Sequence, residues 1–350
     1  HIIRGGDLMQ DNEKWIFKDL KKIIKVKESF PELQHDEVIL KVLYVGICGS
    51  DLHAYEGTHP LVHPEIVLGH EVTGEIIKIG SSVRNLKIGD KVVLEPNISC
   101  GECYNCKHGK YNICENLKVI GCVGRDGGLQ NFVTFPANKL YKVNNISPKI
   151  ATLIEPFSVA IHSVRISSFT PGNEVLLYGA GPIGIFTSIF LYLSGAKKIV
   201  VVDLVEKRLR LLSSLLPGII TTTPADTNIK GNFTFDGPDI VFDCVGADAT
   251  LNMAIENARK GTEIVLVGVP SSNSNVKLIY VQDRELTIRG SLMYVVEDYL
   301  TAINLLEKNQ IDYEKIITHV FPFDKVPQAY EYALNNKNEV LKILIEVNKM

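Results

Sequence analysis

A short apolar strand, Val175-Leu-Leu-Tyr178, runs straight into Gly179-Ala-Gly-Pro-Ile-Gly184, then into an apolar stretch ending at Gly195 and a second strand, Ile199-Val-Val-Val202. Glycine turns are common, but one set between a strand and a helix with a second strand behind it describes a βαβ unit, and such units build a parallel sheet. Each glycine has its own task. Gly179 permits the tight turn, Gly181 lets the backbone approach a pyrophosphate, and Gly184 lets helix and strand pack closely. Pro182 and Ile183 complete the turn where the helix opens and a phosphate would sit. Asp203 stands nineteen residues beyond Gly184, at the end of the second strand. An acid there accepts both ribose hydroxyls of NAD and repels the 2′-phosphate of NADP, so NAD is the expected cofactor. Arg208 lies within reach of the adenosine end.

Further strand candidates, Ile240-Val-Phe242 and Ile264-Val-Leu-Val267, alternate with helical stretches such as Thr250 to Arg259, and six parallel strands fit before about residue 295. The sequence before this region has another texture. From Trp15 to Ile98, short β-rich runs such as Val38 to Val45 and Glu75 to Ile79 are separated by Gly, Pro and Asp turns, the pattern of a small barrel. Val296 to Leu306 reads as a helix and Val340 to Val347 as a last strand returning to the first domain. The predicted class is therefore α/β: a barrel-like, β-rich domain over 9–157 and 296–350, and a doubly wound parallel-sheet domain over 158–295. The chain opens on His1, and Met9 is read as the native start, which sets residues 1–8 apart from the fold.

Cys100, Cys103, Cys106 and Cys114 stand at the spacing C-x2-C-x2-C-x7-C within fifteen residues. They are too close together to form two unstrained disulfides easily, and seven cysteines is an odd count. Four thiolates closing a tetrahedral structural zinc site, in a reducing cytoplasm, account for them better. A net charge of -3 gives no electrostatic reason for a nucleic-acid or anionic-membrane partner. The longest apolar run, Ile183 to Leu193, carries Thr187 and Ser188 and falls well short of the ~20 residues that span a bilayer. The polar N-terminus has no secretory signal.

A second constellation is scattered: Cys48 in Gly46-Ile-Cys-Gly-Ser-Asp51, His70 and Glu71 in Gly69-His-Glu71, and Glu155 in Ile154-Glu-Pro-Phe157. Spacing alone does not join these residues. Together with Leu68 to Glu75, Val83 to Asp90, the four-cysteine lobe, Ile154 to His162 and the glycine turn, they resemble the zinc-dependent medium-chain dehydrogenases, over nearly the whole chain from about Lys14 onward. The chain is most similar to the polyol branch, with its sorbitol and butanediol dehydrogenases. There glutamate occupies the position of Glu155, where ordinary alcohol dehydrogenases carry a ligating cysteine.

The resemblance implies a chaperonin-10-like catalytic barrel and a Rossmann cofactor domain. It implies catalytic zinc on Cys48 and His70, with Glu155 bound directly or through water and Glu71 able to enter the shell. It also implies structural zinc on the four-cysteine lobe. Asp51 would fix the other nitrogen of His70, Ser50 would relay the alcohol proton, and His53 would pass it on. Zinc as a Lewis acid lowers the pKa of the alcohol, and hydride passes to NAD. Cys122 and Cys244 read as small buried hydrophobes.

The implied reaction is oxidation of a secondary alcohol or polyol to the ketone by a homo-tetramer or homo-dimer. Sorbitol itself fits poorly, because Leu292-Met293 follows Arg289-Gly290 where a substrate-facing arginine stands in sorbitol dehydrogenase, and Ala54 follows His53 where tyrosine is expected. Asp51 to Glu56 also resembles L-threonine 3-dehydrogenase, the second reading. A reading of another class, a non-catalytic zinc-stabilised nucleotide-binding protein, requires the Cys48, His70 and Glu155 set to be vestigial.

Overall fold

The computed structural model describes residues 11–270 and 273–350. Met9 and the residues before it lie outside the described residues. The described residues divide into two compact units, one made of 11–155, 305–308 and 317–350 and the other of 156–270, 273–304 and 309–316.

In the first unit the strand Glu37–Ile47 is the organising element. It pairs antiparallel with Glu71–Ile79 on one side and with the C-terminal strand Lys342–Glu346 on the other, and Phe132–Pro136 also pairs with it. Lys91–Leu94 and Leu140–Lys142 extend the sheet beyond Glu71–Ile79, while Ile317–Pro322 extends it beyond Lys342–Glu346. Inward residues Val42, Val45, Val72, Ile76, Val92 and Ile343 form its core, and fully burying a side chain of this kind contributes roughly 1.5–3 kcal/mol. The expected C-terminal strand is present and supplies the barrel's central partner strand.

In the second unit six parallel strands lie in the order Ile220–Thr222, Lys198–Val202, Glu174–Tyr178, Ile240–Asp243, Glu263–Leu266, Thr287–Gly290. The order runs outward in both directions from Glu174–Tyr178, the doubly wound arrangement that the βαβ reading requires. The central strands Glu174–Tyr178, Lys198–Val202 and Ile240–Asp243 are short, apolar and almost wholly buried, as strands accompanied by helices such as Pro182–Leu193 and Asp248–Asn257 must be.

One boundary differs from the expected domain limits. The helix Val296–Lys308, assigned to the catalytic domain by sequence, belongs to the second unit through Asn304. The cause is Asp298, which is 1% exposed. Its carboxylate accepts the Val295 N–H at 2.9 Å, pairs with His162 Nδ1 at 2.7 Å and accepts from Arg165 Nη1 at 3.0 Å. His162 is thus a satisfied core histidine.

Candidate active site

Two groups of metal-ligating side chains gather among the described residues. The first is the four-cysteine lobe, whose sulfurs all lie within 4.8 Å of one another. Gly101 and Gly109, at φ 76° and 73°, turn the chain around it, and the short helix Tyr104–Lys107 carries Cys106. Cys114 and Cys100 sulfurs stand 3.5 Å apart. A disulfide needs about 2.05 Å, whereas two sulfurs held tetrahedrally about 2.3 Å from zinc lie about 3.8 Å apart. The seven cysteines are free thiols. Backbone N–H groups point at the sulfurs, Cys100 to Cys114 at 3.3 Å and Cys103 to Cys100 at 3.4 Å. Those of Cys106 and Glu115 hold the Cys103 thiol down to about 6, while desolvation pushes Cys106 up to about 12. The four thiols lie close enough to share one cation.

The second group is Cys48, His70 and Glu71, again with donor atoms within 4.8 Å of one another. The strand Glu37–Ile47 delivers Cys48 at its end, as the residue preceding the helix Gly49–Glu56. Glu71 opens the neighbouring strand and pairs in register with Gly46. A Cβ on Gly46 would lie 1.9 Å from Glu71 Oε2, so only glycine leaves room for that carboxylate. From the other neighbouring strand, Lys342 donates to Glu71 Oε1 at 2.6 Å, to Glu71 Oε2 at 2.8 Å and to the Ile47 carbonyl at 3.3 Å.

Lys342 and Glu71 are 2% and 0% exposed. Burying either charge alone costs several kcal/mol, which explains why they are buried together with all those contacts. Burial opposes the Lys342 charge, yet the Glu71 charge outweighs it and holds the ammonium above its ordinary range. A lysine inside the apolar run Val340 to Val347 was the available signal for this pair, and the sequence reading passed over it.

Asp51 places one oxygen on the Cys48 N–H at 2.9 Å. Its Oδ1 faces His70 Nδ1 at 3.6 Å, is buried and makes no hydrogen bond. Cys122 corrects the reading of it as apolar filler: its sulfur lies 3.5 Å from the same Nδ1. Burial pushes its thiol pKa up. Burial alone would lower the His70 pKa, but the contacts with Cys122 and Asp51 outweigh it and hold the imidazole well above its ordinary value.

Glu155 is 4% exposed, in the first turn of the helix Ile154–Arg165, and is not in the group within 4.8 Å. Its charge is nonetheless near enough to support that of Lys342. Ser50 and His53 lie on the helix that follows Cys48. His53 is exposed, with Nδ1 3.4 Å from Thr58 Oγ1. His59 accepts the Leu61 and Val62 N–H groups at 3.1 and 3.2 Å, a loop role. One cysteine, one histidine and one carboxylate with their donor atoms this close make a donor set that suits a catalytic zinc.

In the second unit the glycine turn has the geometry its sequence demands. Gly179 stands at φ 97°, and a Cβ on it would lie 2.7 Å from Val245 Cγ2. A Cβ on Gly184 would lie 1.8 Å from the Gly179 carbonyl, so helix and strand could not pack. At Gly181 a Cβ would meet only Arg208 Nη1, at 4.0 Å, which leaves the space beside the turn open and puts the guanidinium next to it. Gly181 precedes the helix Pro182–Leu193, whose first turn holds Pro182 and Ile183 and has no side-chain cap. The Asp203 oxygens accept the Ala180 N–H at 2.6 Å and the Val205 N–H at 2.7 Å. A carboxylate has about four acceptor sites, so capacity for ribose hydroxyls remains.

Residues 34–145 match the alcohol dehydrogenase GroES-like domain, and residues 182–308 match the zinc-binding dehydrogenase family. The sorbitol dehydrogenase of Bacillus subtilis is 33% identical over 327 residues, covering 91% of this chain and 92% of the relative. A probable D-xylulose reductase A of Aspergillus clavatus is 34% identical over 347 residues, covering 95% and 96%. A solved structure from Escherichia coli CFT073, described as a short chain alcohol dehydrogenase complexed with NADH, superposes with a TM-score of 0.87 at 29% identity, covering 96% of this chain and 99% of that one.

Proposed function

The chain belongs to the zinc-dependent medium-chain alcohol dehydrogenases, in their polyol branch, and we propose that it oxidises a small diol, polyol or sugar-acid alcohol to the ketone with NAD as acceptor. The observation that carries this reading is the gathering of Cys48, His70 and Glu71 within 4.8 Å, with Glu155 buried nearby. Cys48, His70 and Glu71 would hold the catalytic zinc, Glu155 would act through a water, and the four-cysteine lobe would hold the structural zinc. Zinc bound there supplies Lewis acidity that lowers the pKa of the alcohol.

The chain's own groups do the rest. Lys342 neutralises Glu71, so the donor set carries little net negative charge beyond the Cys48 thiolate and leaves the cation strongly polarising. Ser50 takes the alcohol proton, and exposed His53 gives that proton a way to solvent. Asp203 accepts the adenosine ribose hydroxyls. Gly181 and the open helix N-terminus receive the pyrophosphate, with Arg208 beside them.

A copy of the chain pairing along Thr287–Gly290, an exposed edge strand with Ile288 36% accessible, would support a homo-dimer or homo-tetramer. Among the described residues no helix is long and apolar enough to cross a membrane, and the free thiols favour the cytoplasm.

The test is NADH formation from NAD with sorbitol, xylitol, 2,3-butanediol, galactitol, sugar-acid alcohols and L-threonine, with and without a zinc chelator. Chelator-sensitive turnover of a diol or polyol supports the reading. Turnover of threonine alone replaces it with threonine oxidation, and silence from a zinc-loaded, NAD-binding sample overturns catalysis.

A further inference from the structure

A histidine that binds a metal through one ring nitrogen needs a partner on the other, which sets the tautomer, the ring orientation and the basicity of the ligand. His70 Nδ1 faces two candidates. Asp51 Oδ1 stands at 3.6 Å, outside hydrogen-bonding distance, and is left buried without a partner. Cys122 Sγ stands at 3.5 Å, within the longer reach of sulfur.

The fold puts the sulfur there by backbone packing. Gly121, at φ 73°, would place a Cβ 2.6 Å from the Gly69 carbonyl, and Gly127 would place one 2.4 Å from the Leu68 carbonyl. The Gly127 and Gly128 N–H groups donate to the Val67 and Gly69 carbonyls at 2.7 and 2.8 Å. The loop around Cys122 therefore lies backbone against backbone on the segment that ends at His70, where side chains would hold the two apart. One end of the imidazole is taken up by the contact with Cys122, and Nε2 is the nitrogen left for the metal.

We propose that Cys122 is a positioning residue for the catalytic metal site, accepting the Nδ1 proton of His70. The inference rests on the zinc reading of Cys48, His70 and Glu71. It adds a residue that no metal-ligand spacing marks, and it assigns the sulfur to the ring's far nitrogen rather than to the metal. Thiol sulfur is a weak acceptor, so the contact orients the ring without the basicity that a short carboxylate bond would add.

The experiment follows zinc release to a chelator from the zinc-loaded protein and the visible spectrum of the cobalt-substituted protein, in wild type, Cys122→Val and Cys122→Ser. Valine is close in volume and accepts nothing, whereas serine restores an acceptor. Losing a partner of a metal-ligating histidine costs roughly 10–100-fold in metal affinity. Cys122→Val is expected to weaken one zinc by that factor and shift the cobalt bands, Cys122→Ser to recover most of both, and the zinc of the four-cysteine lobe to stay in place as an internal control.

Equal release rates and spectra in Cys122→Val and wild type overturn the proposal. So does a serine variant that fails as the valine variant does, because an acceptor would then be present without effect. If the valine variant does not fold, judged by loss of the lobe zinc and of the cooperative melt, Cys122→Ala makes the same deletion without added branching. Wild-type protein that takes up zinc only at the four-cysteine lobe would instead overturn the catalytic-zinc reading itself.

Discussion

The first unit holds two metal-binding groups that share cysteine and little else. The four-cysteine lobe draws all its donors from residues 100–114, and three of its four thiols are partly exposed. The Cys48 group draws on the end of one strand, the start of the next and a lysine from the last strand, and His70 and Glu71 are buried. A loop can close around a cation with donors of its own, so such a site stabilises and remains chemically shut. A site meant to leave one position open must be enclosed by the barrel wall, and that requires donors from distant segments. Burial then imposes a condition absent from the lobe: each charge needs a partner, which Lys342 provides for Glu71.

The strongest way to break this contrast is Cys48→Ser. Turnover should fall about 10³-fold or more, the several kcal/mol that a Lewis acid supplies, while NAD binding, lobe zinc and the melting midpoint stay near wild type. A large fall in the midpoint would mean that the buried group is structural too.

Lys342→Met comes next. Leaving Glu71 buried and unpaired should cost about 3–5 kcal/mol in denaturant unfolding, with Lys342→Arg recovering part of it. A neutral outcome would show that Glu71 is not charged in the folded protein.

Cys106→Ser should reverse the pattern seen for Cys48. It should lower stability by about 2–4 kcal/mol, read as a drop of several degrees in the melting midpoint, and it should spare turnover per folded molecule. Loss of turnover at full folding would erase the distinction between the sites.

The smallest effect is a proton count. Zinc requires deprotonated sulfur and neutral imidazole, so occupancy at both sites declines as pH falls. Cys103, held to about 6, has largely lost its proton at neutral pH. Zinc uptake at the lobe should therefore release fewer than four protons. Loading of the lobe followed in weakly buffered solution counts them, and a full release of four would contradict the Cys103 environment described above.

Much of this was legible in the chain. Alternation of strand, glycine turn and helix implied the six-stranded parallel sheet, since a helical crossover leaves no other arrangement for parallel strands. The lobe was legible because its ligands are neighbours in sequence, and so was the glycine turn, where each missing Cβ answers a contact inside one βαβ unit. Resemblance to a family, rather than spacing, joined Cys48 to His70. Lys342 escaped notice, Cys122 was read as a small buried hydrophobe, and the tie that Asp298 makes between the helix Val296–Lys308 and the second unit was missed.

The reason is physical. Local backbone demands, such as turns, caps and closely spaced thiolates, are settled within a few residues, and the sequence by itself determines them. The pairing of Glu71 with Lys342, 271 residues away, and the approach of Cys122 to His70 depend on strand register and on glycines that let two backbones touch. Only the tertiary structure decides which distant polar group will share a buried space, because that choice is made by packing and by the cost of leaving a buried group alone.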